Sequence, residues 1–395
     1  MKKFVLRYVC VSIITVLTGT ILFAQSGEKK QSANVINTTV PFLTIAPDAR
    51  GGGMGDVGVS SSPDVTSLFW NPAKYAFVES KFGAQVSYVP WLRALVDDIG
   101  LASLFGYYKI DSKSAVAMSF RYFSLGEVKF YGQEGQPLGD FNPNELALDG
   151  TYSRKFTERI SGAVAGRFIY SNLTQGQGGI DSHAGWSVAA DVAVYYRLPI
   201  ETLSMDGSTF NFGLNISNMG KKISYTNNFV ESFIPTTLRF GPSYEMDLDR
   251  YNKFAVFLDI SKLLVPTPPV YAFDEEGKPI YNPDGTRTIA KGKSQNVSVF
   301  QGMIQSFYDA PGGFSEEMQE LMWSVGAEYW YNKLFAVRGG YFYEHRNKGN
   351  RQYLGLGASI KYSMFDLGFS YIVPTNTQLS PQDNTLRFTI SLNFD

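Results

Sequence analysis

The sequence predicts an all-β fold: a transmembrane antiparallel β-barrel of about 14 strands, preceded by an N-terminal plug or hatch. Segments of about ten residues alternate apolar and polar side chains, turn residues separate them, and short connections alternate with long ones. The composition agrees, because charged residues make up only 18% of the chain, against roughly 25% in soluble domains.

The first 24 residues are predicted to be a secretory signal peptide. A basic start ends at Arg7, an apolar run extends from Val9 to Phe23, and Ala24 precedes the expected cleavage. The single cysteine, Cys10, lies in this segment, so no disulfide or thiolate chemistry is expected in the mature chain. No later apolar run reaches the length of a membrane-spanning helix, so export leads to a soluble protein or an outer-membrane barrel.

The predicted organisation after the signal peptide is a plug segment, residues 25–80, and a barrel, residues 81–395. The barrel carries a long extracellular loop, residues 265–319. Lys and Arg number 35 and Asp and Glu number 36, a net charge of -1, which gives no basic excess for a nucleic-acid partner.

The last segment illustrates the alternation. Apolar side chains occupy every second position from Leu386 to Phe394, and polar side chains fill the positions between them. Since side chains of a strand point alternately to opposite faces, such a strand has one apolar and one polar side. The predicted strands are 81–89, 100–110, 114–125, 146–156, 160–171, 183–197, 208–218, 234–247, 253–264, 320–331, 334–345, 351–363, 364–373 and 384–394.

The connections provide a separate test. Those after even-numbered strands are mostly short, as at 111–113, 157–159 and 332–333, with 198–207 longer than the rule prefers. Those after odd-numbered strands are mostly long, as at 126–145, 172–182 and 265–319, with 346–350 shorter. Short periplasmic turns and long outer loops are typical of membrane barrels.

Lipid cannot hydrogen-bond an exposed backbone, so the strands must close and their apolar faces must point outward. Tyrosine pairs at strand ends, Tyr107–Tyr108 and Tyr195–Tyr196, are interpreted as interfacial girdles. Ion pairs are predicted across the lumen, and a ligand-binding role for these charges is the alternative. The predicted inward charges are Arg121, Arg167, Asp191, Arg239, Glu245, Asp259, Glu328, Arg338, Lys361 and Arg387.

No catalytic or metal site is predicted, and no cofactor is expected. Gly53–Gly58 matches G-x-G-x-x-G, but no βαβ unit surrounds it, so close-packed plug backbone is the better interpretation. His183 and His345 have no partner at metal-ligand spacing. Asp181-Ser182-His183 is a poor triad because neighbours in an extended segment point apart.

The informative motif is Phe69-Trp70-Asn71-Pro72-Ala73, a rigid turn just before the first strand. An N-terminal plug with Asn71, Pro72 and Ala73, followed by about 14 strands, resembles the FadL-type family of outer-membrane transporters for hydrophobic compounds. Together with the glycine-rich stretch from Asp48 to Asp56, the motif most resembles the PorV branch, which serves the type IX secretion system.

The resemblance implies a barrel with a lateral opening, filled by a hatch whose motif is Asn71, Pro72 and Ala73. It implies a non-enzymatic protein of the cell outer membrane that collects cargo by C-terminal signal domains from the translocon. Delivery would be to a surface attachment complex that joins the cargo to lipopolysaccharide. The expected partners are therefore cargo signal domains, translocon and attachment-complex subunits, and membrane lipid or lipopolysaccharide.

The long loop offers candidates for partner binding. The stretch 265–273 is extended and apolar, and the candidates are Pro268, Pro269, Tyr271, Phe273 and Phe307. The alternative is a loop folded over its own barrel mouth. Pro242 in the eighth predicted strand indicates either a bulge or a gate in the wall. Two other functions stay open: transport of small hydrophobic compounds, and an outer-membrane lipid hydrolase.

Overall fold

The structure is a computed structural model, which describes residues 33–91, 98–131, 136–173, 182–201, 207–226, 231–376 and 385–394. The fold described below belongs to one compact unit, Asn34–Asp395. The predicted signal peptide, residues 1–24, lies outside the described residues.

The described residues contain 18 strands. In chain order they are β1 (Phe82–Pro90), β2 (Ile99–Lys109), β3 (Ser114–Leu125), β4 (Val128–Tyr131), β5 (Pro137–Phe141), β6 (Asn144–Lys155), β7 (Ile160–Asn172), β8 (Gly185–Ile200), β9 (Gly207–Gly220), β10 (Thr237–Asp247), β11 (Asn252–Leu263), β12 (Val270–Tyr271), β13 (Ile289–Lys291), β14 (Met322–Tyr331), β15 (Phe335–Tyr343), β16 (Gln352–Tyr362), β17 (Phe365–Pro374) and β18 (Leu386–Phe394).

Fourteen of these strands form one closed antiparallel barrel, in which each strand pairs with its neighbours in sequence and β1 pairs with β18. The pairs β4–β5 and β12–β13 are separate two-stranded sheets within connections. The predicted all-β class and the predicted strand count are confirmed. The two hairpins are additions that the sequence alternation did not predict.

Helical segments are short. They are α1 (Ala49–Gly53), α2 (Ser67–Trp70), α3 (Val299–Gln305) and α4 (Phe314–Gln319), with 3-10 turns at Pro41–Thr44 and Pro72–Phe77. Within the described residues no helix has both the length and the apolar character needed to cross a bilayer.

The alternation along each barrel strand divides its side chains between two environments. On β18, Phe388 and Ile390 are 46% and 52% exposed on the outside, while Arg387, the residue before Phe388, points into the barrel and is fully buried. The same contrast holds on β7 between Val164 and Arg167. An outer surface of apolar side chains matches acyl chains, and the polar faces meet inside the barrel.

The connections differ at the two ends of the barrel. At the end that we call inner, they are 110–113, 156–159, 201–206, 248–251, 332–334 and 363–364; at the outer end, the longest are 126–143, 173–184, 221–236 and 264–321. This division follows the predicted pattern and places the outer end outside the cell.

Two adjacent-tyrosine predictions were wrong in part. Tyr108 is exposed, but Tyr107 is 4% exposed, and Tyr195 beside Tyr196 is fully buried. Because neighbours on a strand point to opposite faces, only one tyrosine of each pair can lie in a girdle, and the other enters the lumen.

Pro242 does not create a bulge. The β10–β11 ladder pairs Phe240 with Ile260 and resumes at Ser243 with Phe257, so two pairs are skipped while the register is unchanged. Proline supplies no N–H to this ladder, and its neighbour Gly241 lies against the Leu258 carbonyl. The β10–β11 ladder therefore lacks hydrogen bonds at this point, although the strand pairing remains in register.

We expect Val164→Lys to destabilise the folded barrel by about 2–4 kcal/mol, because it places a cation on the lipid face near mid-strand. Ile110→Lys, in an inner-end turn, should cost less than about 1 kcal/mol. Urea titration of folding into lipid vesicles measures both values. Equal losses for the two variants would contradict an outward-facing Val164.

Candidate functional site

The hatch segment, residues 40–78, contacts the inner faces of strands on several sides of the barrel. Its two sequence motifs meet around the Trp70 ring. The Asp48 carboxylate caps α1 by accepting the Gly51 N–H at 2.7 Å, and it accepts the Trp70 indole N–H at 2.7 Å. A Cβ on Gly51 or Gly58 would lie 2.2–2.3 Å from that ring. The glycines therefore provide space for the tryptophan, and the two motifs form one packing unit.

Asn71, at the centre of the second motif, is fully buried. Its side-chain amide donates to the backbone carbonyls of Val59 in the hatch and Val194 on β8, both at 3.0 Å. Its side-chain oxygen accepts the Ala73 N–H at 3.0 Å, which caps the 3-10 turn that Pro72 begins. One amide thus joins two parts of the hatch to the wall.

Ala73 connects the motif to a second part of the wall. Its carbonyl accepts hydrogen bonds from the Ser153 hydroxyl on β6 at 3.1 Å and the Ser161 hydroxyl on β7 at 2.6 Å. The hatch motif therefore holds the segment against three consecutive strands, and its observed contacts are structural.

Arg50 provides an ionic anchor on the opposite side. Its guanidinium makes two hydrogen bonds, at 2.9 and 3.1 Å, to the Glu328 carboxylate on β14 and also pairs with Asp64 at 2.9 Å. Arg338 on β15 pairs with the same Glu328 at 2.6 Å. One predicted inward charge, Glu328, thus holds the hatch, and Arg338 supports it from the wall. A charge-assisted bidentate pair is among the stronger polar contacts.

Several of the other predicted lumen charges also have partners on the wall or in the hatch. Arg167 pairs with Asp191 at 3.0 Å and with Asp149, which Arg121 contacts as well. Asp259 accepts the N–H groups of Gly58 and Val59 at 2.8 and 2.9 Å.

The wall admits the hatch backbone at glycines. A Cβ on Gly340 of β15 would lie 2.0 Å from the Met54 carbonyl oxygen, and one on Gly355 of β16 would lie 2.4 Å from that of Gly52. Such contacts leave no room for a side chain, so the wall glycines are part of the docking surface for the hatch.

A cavity of about 600 Å³ lies at the inner end, between the hatch and the inner-end turns. Its lining mixes acidic and basic side chains, including Glu245, Lys361 and Asp366, with Tyr195 and Asn211. The Tyr195 hydroxyl has no hydrogen-bond partner in the described structure. Such a lining suits water and polar groups, and it is not the predominantly apolar surface that a hydrophobic solute requires.

At the outer end, residues 264–321 form a structure that we call the lid. An ion cluster attaches it to the barrel: Lys262 of β11 pairs with Glu317 at 3.1 Å and with Glu320. Lys348, from the β15–β16 connection, pairs with Glu316 at 2.7 Å and Glu320 at 2.9 Å. The lid is therefore bound to two rim segments.

The first lid residues face inward. The Pro268 carbonyl accepts a hydrogen bond from the side chain of Asn34 at 3.1 Å, and Pro269 is buried. Two of the partner-binding candidates thus position the lid. Tyr271 is half-buried, with Arg287 stacked 4.5 Å from its ring centre, while Phe273 and Phe307 are exposed.

The outer side of the lid is strongly apolar. α3 packs on Phe233 through Gly302, and its opposite face carries exposed Phe300 and Ile304. The large apolar lid side chains that are more than half exposed are Phe273, Tyr281, Phe300, Ile304, Phe307, Tyr308 and Phe314. A surface of this kind, next to a buried ion cluster, is typical of an interaction site.

Sequence reasoning did not identify the lid anchor. Glu316 and Glu320 stand four residues apart, a spacing that places both on one side of a helical turn. Lys262 lies at an outward position of β11, where lipid would be expected. A charge on the lipid-facing side of a strand end was the available signal that another segment covers it.

Three comparisons relate the chain to known proteins. The family model described as "Type IX secretion system protein PorV" matches residues 28–270. No curated sequence matches the chain.

The similar solved structures have low sequence identity. The toluene transporter TbuX of Ralstonia pickettii is 11% identical with a TM-score of 0.49, and the match covers 90% of this chain and 100% of that one. The toluene transporter TodX of Pseudomonas putida is 11% identical with a TM-score of 0.45, covering 91% and 98%. A FadL homologue of Pseudomonas aeruginosa is 10% identical with a TM-score of 0.42, covering 92% and 100%.

We expect Asn71→Ala to lower the free energy of unfolding by about 3 kcal/mol, because it removes the partner of one buried carbonyl, one part-buried carbonyl and one buried N–H. Heat-modifiable gel mobility and urea titration in vesicles measure the loss. Asn142→Ala, in an exposed outer connection, is the matched control and should stay within about 0.5 kcal/mol of the parent.

The lid should become less stable as pH rises from 5 to 7.5. Burial raises the pKa of Asp309 to about 6 from the usual 3.8, so the folded lid favours the protonated carboxyl. The stability that this protonated carboxyl gives the lid is present at low pH and is lost as the pH rises through about 6. Burial also raises the pKa of Glu316, but the hydrogen bond and charge of Lys348 lower it overall, so Glu316 stays ionised in this range.

Hydrogen exchange of residues 299–320, corrected for the intrinsic rate at each pH, measures this effect. Asp309→Asn should abolish the pH dependence and retain high protection at pH 7.5. The control Asp284→Asn, on the exposed hairpin, should keep the pH dependence of the parent. A pH dependence that persists in Asp309→Asn would refute the assignment.

Proposed function

Because the chain belongs to the PorV family of type IX secretion system proteins and forms a closed barrel of the outer membrane, we propose that it is a cargo-binding shuttle. It binds the C-terminal signal domains of secreted proteins at its outer end. It takes them from the translocon and delivers them to the cell-surface attachment complex. The chain acts in this without chemistry of its own.

The observation that carries the proposal is the two-sided lid. Its inner side is fixed to the barrel by Lys262 and Lys348, and its outer side exposes Phe273, Tyr281 and Phe307. A surface that is already ordered before a partner binds loses less conformational entropy on binding. A pre-formed apolar platform outside the cell suits reversible capture of a folded domain.

The hairpin of β12 and β13 favours a β-rich partner. Its sheet has only these two strands in the described structure, so both strands have an outer edge. An edge backbone can accept an added strand, and neighbouring pockets then select side chains. Phe273 and Tyr281 follow β12 in the same hairpin, where they would flank such a strand.

The rival function, transport of small hydrophobic compounds, needs an apolar route through the barrel. The hatch contacts on β8, β11 and β14 and the charged inner cavity oppose such a route in the described lumen. An outer-membrane lipid hydrolase is the third possibility, and the experiment below includes an arm for each rival.

We expect Phe273→Ser with Tyr281→Ser to reduce recovery of cargo signal domains with the tagged barrel at least about tenfold, since exposed aromatic anchors dominate binding. Phe156→Ser, an exposed phenylalanine at the inner end, is the control and should leave recovery unchanged. Affinity purification in mild detergent from cells that express cargo measures this.

A gene deletion separates the functions. Cargo secretion should fail, while uptake of a hydrophobic tracer and lipid acyl composition should be unchanged. A deletion that stops tracer uptake or alters acyl chains, with secretion intact, would replace the shuttle by the transporter or the hydrolase.

A further inference from the structure

A basic and aromatic patch lies outside the barrel at its outer end. Lys221, directly after β9, places its ammonium group 5.6 Å from the centre of the Trp186 ring on β8. Its backbone N–H donates to the Val188 carbonyl at 3.1 Å, so the lysine continues the β8–β9 ladder by one residue. The main chain therefore fixes the position from which the ammonium reaches the ring.

The second lysine repeats this arrangement. Lys222 places its ammonium 4.1 Å from the centre of the Phe233 ring. The same ring packs against Gly302 of α3, so the lid supports it from the other side. Two consecutive lysines are thus each held on an aromatic ring.

The patch borders the lipid-facing surface. Trp186 and Val188 are 56% and 53% exposed and share the outward face of β8, while Ser187 between them is buried. Tryptophan at the end of an outward strand face is typical of the membrane interface. Because the long connections mark the outer end, this interface belongs to the outer leaflet.

The two cations are not neutralised by ion pairs. Glu231 acts electrostatically on Lys222, but within the described residues neither lysine has a carboxylate oxygen within 4.0 Å. Other outer-end lysines differ, since Lys262 and Lys348 are buried among carboxylates. Lys221 and Lys222 therefore remain able to bind an external anion.

We propose that Trp186, Lys221, Lys222 and Phe233 form a binding site for the phosphorylated headgroup of an outer-leaflet glycolipid. The lysines bind phosphate, and the Trp186 ring lies along the sugar and upper acyl region. Cationic side chains at a membrane surface attract anionic headgroups, and the rings hold the ammonium groups at the right depth. This site does not depend on the cargo role.

The test uses the full chain in dodecyl maltoside and native mass spectrometry with diphosphoryl lipid A as the probe. Replacing Lys221→Gln and Lys222→Gln together should raise the apparent Kd about 25-fold. Lys221→Arg with Lys222→Arg should stay within about twofold, since charge is kept. The control, Lys81→Gln with Lys113→Gln at the inner end, should bind as the parent does.

Two further arms identify the ligand chemistry on the unaltered chain. Dephosphorylated lipid A should bind far more weakly, and equimolar inorganic phosphate should not displace diphosphoryl lipid A. The proposal is overturned if the Gln pair binds diphosphoryl lipid A like the parent, or if the inner-end control loses as much affinity as the Gln pair. It is also overturned if removing the phosphates from lipid A does not weaken binding, or if free phosphate displaces diphosphoryl lipid A completely. Heat-modifiable mobility establishes that each variant is folded.

Discussion

The hydrogen bonds between β1 and β18 close the barrel, and the rest of the structure depends on this closure. A strand in lipid has no water to satisfy its N–H and C=O groups, so an open edge would be too costly. Closure makes every second side chain lipid-facing and the alternate ones lumen-facing. The charges that the sequence carries must then meet inside, where they need partners or water.

The hatch supplies some of those partners, and the other charges pair with one another along the wall. The hatch backbone lies so close to the wall that Gly340 and Gly355 leave no room for a side chain. The hatch backbone also donates an N–H group to Asp259. Arg50 completes the set by pairing with Glu328. Removing one partner of a buried pair costs about 3–5 kcal/mol, so leaving the lumen would cost the hatch several such contacts at once.

Much of this architecture was predictable because alternation is a local property. Every predicted strand corresponds to a barrel strand, and the motif around Asn71 indicated the confirmed family. Contacts between distant segments were not predictable: neither the space for Trp70 at Gly51 and Gly58 nor the role of Lys262 follows from local pattern. The girdle prediction for Tyr107 was wrong because adjacent strand residues cannot share a face.

The lid and the segment that precedes the hatch are directly connected, which limits where a partner can act. Asn34, at the start of the described compact unit, bonds both the Pro268 carbonyl and Glu316, whose carboxylate also binds Lys348. Moving the lid away from the mouth would therefore break the contacts of Asn34 as well as those to the rim. A partner meets less resistance at the exposed outer surface of the lid, where no existing contact has to be broken. The energetics thus favour recognition on the outside of a barrel whose interior stays filled.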